Sequence, residues 1–131
     1  MNIDEVVGNF ETKRRAINEW FIERERDIVH DIMRKIDSEF RIANSIFPSA
    51  STPAGKQEYI ERRLHINNAI AHCHELMGEF QYILTALPVD KNKYCNLEEA
   101  ITKQIEMFKG IRKADNRFLK QIKDEIKNNK N

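Results

Sequence analysis

The chain has 131 residues, which fits one domain with one core. Hydrophobic residues make up 40% and charged residues 33%, with four Gly and three Pro, a balance that suits helices with charged outer faces. A net charge of +1 excludes a global nucleic-acid signature, and two cysteines exclude a disulfide scaffold.

The first segment, Ile3 to Phe21, carries Val6, Val7, Phe10, Ile17, Trp20 and Phe21 in a loose helical pattern. It lacks the basic-then-apolar order of a signal peptide. Glu23-Arg24-Glu25-Arg26-Asp27 then runs without an apolar side chain. The chain either turns there or continues as one long helix through exposed charge. Propensity favours continuity, because Glu and Arg form helices well and no Gly or Pro is present. From about Asp27 to Phe47 the pattern tightens. Val29, Ile36 and Ala43 recur at sevens, as do Met33, Phe40 and Phe47.

Phe47 to Gly55 reads as a loop, with Thr52 as helix cap and Pro53 at the first helical position. The next helix carries an unbroken heptad: Tyr59, Ile66, Cys73, Phe80 and Leu87, interleaved with Ile70, Met77 and Leu84. Ala69, Leu76 and Ile83 widen the stripe beyond what a two-stranded seam needs, so this helix must pack against more than one neighbour. Pro88 to Lys93 reads as a turn. Asn96 and Glu99 resemble a capping box opening the last helix, which carries Leu97, Ile101, Ile105, Phe108, Ile111, Phe118, Leu119, Ile122 and Ile126. The expected fold is all-α: an up-down antiparallel four-helix bundle (about 4–21, 27–47, 57–87 and 97–127), its first two helices alternatively fused. No stretch is apolar enough for a membrane span, and a reduced, cytoplasmic location follows as the default.

Little chemistry is visible. His72-Cys73-His74, with His65 and Cys95, invites a metal, but residues two apart on a helix diverge, whereas zinc helices offer ligands at i and i+4. No metal or other cofactor is expected. Glu58, His65, His72 and Glu79 form a polar row, most simply a solvated stripe or a face toward another subunit. There is no Gly-rich phosphate loop, nucleophile elbow or dinucleotide fingerprint, and no carboxylate pair in a context that would shift its pKa, so an enzyme is not expected. Charge is more telling. From Lys109 to Asn131 eight Lys and Arg face Asp115, Asp124 and Glu125, a net of +5, which leaves −4 on residues 1–108. Such a pole suits a solvated helix end or an anion-binding surface. Gly110 lies within it, inside a helical pattern, and is either a tolerated helix glycine or a mark of close approach by another backbone or a ligand.

Asn67 to Lys113 resembles the C-terminal half of the accessory variability determinant proteins of diversity-generating retroelements. Those show an apolar helix, a short turn, a Tyr, and a helix ending in a motif of the type Ile-Gly-x-Met-x-Gly-Gly-Trp-x-Lys. Tyr94 sits at the Tyr position, and Ile105, Met107, Gly110, Ile111 and Lys113 fall approximately on the terminal motif. Glu106 and Lys109 stand where the family has its first two glycines, and the Trp is absent. Arg26-Asp27-Ile28 through Ile42-Ala43-Asn44 is similar to the family's second helix. Four-helix-bundle proteins encoded in intervening sequences of bacterial 23S rRNA share the architecture. The resemblance implies a non-catalytic homo-oligomer, a pentamer in that family, which binds the retroelement's reverse transcriptase and template RNA and supports mutagenic cDNA synthesis. It places the contacts on Lys103, Lys109, Arg112, Lys113, Arg117 and Lys120, in a phosphate-neutralising role. The competing reading is a helical oligomerisation module without nucleic acid.

Overall fold

The computed structural model describes residues 2–48, 53–87 and 90–129. Three helices account for nearly all of them: α1 (Ile3–Ser45), α2 (Pro53–Ala86) and α3 (Lys91–Asn129). The expected four helices are therefore three. Glu23 to Asp27 continue the helix, as their propensity allows, and α1 runs 43 residues, about 65 Å at the α-helical rise.

Local chemistry sets most of the ends. Asn2 caps α1: its extended backbone lets Oδ1 accept from the Glu5 N–H at 2.8 Å. Asp4 and Glu5 lie in the first turn, where the helix dipole favours negative charge. The α1 ladder stops at Ser45, and Ile46 takes an extended conformation. Pro53 does open α2, while its expected cap, Thr52, lies outside the described residues, as do Pro88 and Val89 of the second turn. The last helix starts earlier than expected. Asp90 Oδ1 accepts from the Asn92 N–H at 3.0 Å and its carbonyl from Lys93, so Asn96 is an interior residue and no cap. Acceptor groups on Asp90 replace the box that Asn96 and Glu99 seemed to offer.

The broad stripe on α2 has its explanation in the packing. This helix is central and contacts both α1 and α3. Ile66, Ala69, Ile70, Cys73 and Leu76 are buried with Ile32 and Ala43 of α1 and Ile101, Ile105 and Phe108 of α3. Phe40 and Phe108 meet at 5.4 Å between centroids, a tilted aromatic pair across the core. At the far end of α2, Tyr59 and Leu119 form a second small cluster, and Tyr59 stacks on Phe118 at 6.0 Å. The side chains of Ile122 and Ile126, expected on this stripe, lie outside the described residues. Beside Phe108, a groove of about 290 Å³ opens between α1 and α3, lined mainly by Met33, Ile36, Phe40, Cys73, Ile101 and Phe108.

Cross-helix pairs fix the antiparallel register of α1 and α2: Phe21 with Tyr82, Glu39 with His65, and the Ile46 carbonyl with Arg62. Carried to the end of α2, this register puts Ala86 beside residues 17–18. The first fifteen or so residues of α1 thus project about 22 Å past α2.

Candidate nucleic-acid interface

α3 presents two different sides along its second half. Phe108, Asp115 and Leu119 are buried toward α2, and Arg112 is half-buried beside them. Lys109, Lys113, Arg117 and Lys120 are exposed. Their steps of four, four and three keep them on one outer face, spanning about 16 Å of helix. Four cations at that spacing form a ridge that can meet successive phosphates, or the carboxylates of an acidic partner. The structure therefore brings together four of the six residues singled out in the sequence.

The other two have partners. Lys103 lies near Glu99 at 3.7 Å, an exposed pair one turn apart. Arg112 donates from Nη1 to Asn67 Oδ1 at 2.9 Å, tying α3 to α2. Gly110 stands clear of the other helices. A Cβ built there meets nothing within 4 Å, so no part of the described chain approaches it. The glycine leaves open surface beside Lys109 and Lys113.

The ridge rests on a buried ion pair. Arg62 Nε of α2 lies 2.9 Å from Asp115 Oδ2, and Asp115 is only 5% exposed. The guanidinium also reaches the Ile46 carbonyl, so one side chain links α2 and α3 with the residue that caps the end of α1. Burial pushes the Asp115 carboxyl above the usual carboxylate range, while Arg62 pulls it back. Burial, followed by the Asp115 charge, likewise raises the nearby Tyr59 phenol.

Two members of the polar row, His65 and Glu79, face α1. Half-buried His65 pairs with Glu39 of α1 at 2.5 Å, and half-buried His72 with Glu75 at 3.0 Å. Glu79 is half-buried beside Glu25 of α1, itself 5% exposed. At His65 and Glu79 the row is therefore covered by α1 and not solvated, while His72 pairs along its own helix. Burial, then Glu79, raises the Glu25 pKa. Sequence reasoning placed Glu25 in exposed charge, yet a signal existed: Phe21, Glu25, Ile28 and Ile32 follow seam spacing. Among the described residues no group of three His, Cys, Asp or Glu side chains could hold a metal ion. Cys73 is buried in the core, its thiol pushed up to about 11 by burial, and Cys95 is exposed.

Comparison with models of known families, with curated proteins and with solved structures finds no match to this chain. No helix among the described residues is long and apolar enough to cross a membrane.

Proposed function

We propose that this chain is a non-catalytic, cytoplasmic accessory protein that binds RNA and a polymerase partner through the basic ridge of α3. The ridge of Lys109, Lys113, Arg117 and Lys120, exposed on one face, carries the reading. The resemblance to accessory variability determinant proteins names the partners as a retroelement reverse transcriptase and its template RNA. It also implies a homo-oligomer. The chemistry of the ridge is phosphate neutralisation: lysines and an arginine on one exposed face supply affinity and position, not sequence readout. Affinity for RNA then falls steeply with salt.

The test is a salt titration of RNA binding, alone and with the cognate reverse transcriptase. Changing Lys109, Lys113 and Arg117 together to Glu lowers affinity at about 50 mM salt by tenfold or more and flattens the salt dependence. Changing Lys103 to Glu has a far smaller effect. Absence of binding by the unaltered protein at that salt, with and without reverse transcriptase, refutes the reading. The competing reading, an oligomerisation module without nucleic acid, draws on the exposed apolar face of the α1 projection.

A further inference from the structure

A pocket of about 360 Å³ lies between α1 and the last turns of α2, lined by Trp20, Phe21, Glu25 and Ile28 on one helix and Glu79 and Tyr82 on the other. Its walls are of two kinds. Phe21 and Tyr82 meet at 5.7 Å between ring centroids, and Trp20, 59% exposed, extends the aromatic side. The polar side consists of two carboxylates that the register of α1 and α2 brings together. Glu25 is 5% exposed, and its buried Oε2 has no hydrogen-bond partner among the described residues.

A carboxylate buried without a partner opposes folding, so its presence here asks for a compensating group. The described residues do not supply one. Neither Glu25 nor Glu79 forms an ion pair among them. Arg24 lines the same pocket, but its guanidinium overlies the Trp20 ring at 5.4 Å. Burial and Glu79 outweigh its pull on the Glu25 carboxyl, whose pKa stays raised.

We infer that this pocket binds a primary alkylammonium, its N–H groups shared between Glu25 and Glu79 and its methylenes packed on the aromatic side. The two kinds of wall select that chemistry together. A neutral apolar ligand leaves the buried oxygen unpaired, and an anion meets two carboxylates. Magnesium or calcium seeks about six or more oxygen ligands and gains nothing from the rings. No group of three His, Cys, Asp or Glu among the described residues offers even half of such a shell. Carboxylates on two facing helices suit a compact head with three diverging N–H donors, whereas a planar guanidinium fork matches one carboxylate edge. The positive head beside the rings and the stem lying on them use cation–π attraction and burial at once. The site lies between α1 and α2, away from the cationic ridge of α3, and is independent of the RNA-binding reading.

Trp20 is the sole tryptophan of the chain, so its emission reports on this pocket. Titrating the full chain with n-butylammonium chloride at constant ionic strength should give a saturable change in that emission and a matching heat by calorimetry. The dissociation constant should be on the order of 1 mM. n-Butanol, which lacks the charge, and tetramethylammonium, which lacks the N–H groups, should bind about tenfold more weakly or worse. Glu25→Gln and Glu79→Gln should each raise the constant by about tenfold or more, with helicity by circular dichroism retained. Tyr82→Ala should raise it by about two- to fivefold. Asp37→Asn, a carboxylate change elsewhere on α1, should leave it unchanged. Parallel titrations with 1,4-diaminobutane and with Nα-acetyl-lysine amide distinguish a free amine from a partner's lysine side chain, tighter binding of either supporting the site. No saturable signal by emission or heat up to about 50 mM overturns the inference. So does a response to n-butanol equal to that of n-butylammonium, or binding undiminished in both Gln variants.

Discussion

The two halves of α1 both carry apolar residues at helical spacing, more loosely in the first, and meet opposite fates. In the second half Ile32 and Ala43 are buried and Ile28, Val29, Ile36 and Phe40 pack around the core. In the first half Ile3, Phe10 and Ile17 stand in solvent. Helical propensity and periodicity are the same kind of signal in both. The difference lies in α2, whose 34 residues reach only as far as about residue 17 of its neighbour. An amphipathic stripe thus states that a face seeks cover. It does not state whether the cover comes from the same chain.

Core truncation gives the largest contrast between the halves. Phe108→Ala, at the junction of all three helices, should lower unfolding free energy by about 3–5 kcal/mol in urea titrations. Ile17→Ala, measured in protein dilute enough to keep copies apart, should change it by less than about 0.5 kcal/mol. Similar losses at both sites would show that the projection folds back onto its own chain.

The next effect concerns the tie that fixes the packed end. Arg62→Ala leaves Asp115 buried without its cation and should cost about 3 kcal/mol. Adding Asp115→Asn should recover part of that loss. If the double variant is no more stable than the single one, Arg62 acts through packing and not through charge.

Glu25 offers a smaller effect of opposite sign, at the boundary between the two halves. Its folded pKa is raised above the ordinary value of 4.5 by burial and by Glu79. Its contribution to stability is therefore full below about pH 4.5 and is lost as pH rises through the raised value. Glu25→Gln removes the charge and keeps a neutral side chain of the same size beside Glu79. It should stabilise the protein by about 1 kcal/mol at pH 7, and the gain should vanish as pH falls toward 4.5. A gain that persists in acid would assign it to packing.

Much of the fold was legible because periodicity reports directly on burial. The heptad of α2 pointed to a helix with more than one neighbour, and Ile66, Ala69, Ile70, Cys73 and Leu76 are all in the core between α1 and α3. Boundaries were less legible. The backbone and side-chain oxygens of Asp90 outcompeted the box suggested at Asn96, and nothing in Glu23 to Asp27 broke the helix. The basic ridge could be read as a segment but not as a surface. Only packing separates Lys109, Lys113, Arg117 and Lys120 from Arg112, which turns to Asn67.

The sequence by itself determined an all-helical chain, its antiparallel order, its central helix and its basic C-terminal pole. These follow from interactions within a few turns: propensity, spacing and short connections. Tertiary structure decided what no local pattern contains. It fixed how far α2 runs along α1, and so which apolar residues stay exposed. It set Glu25 against Glu79 and Arg62 against Asp115. Those outcomes depend on register between helices, where a shift of one turn changes every partner while leaving each helix's own pattern unchanged.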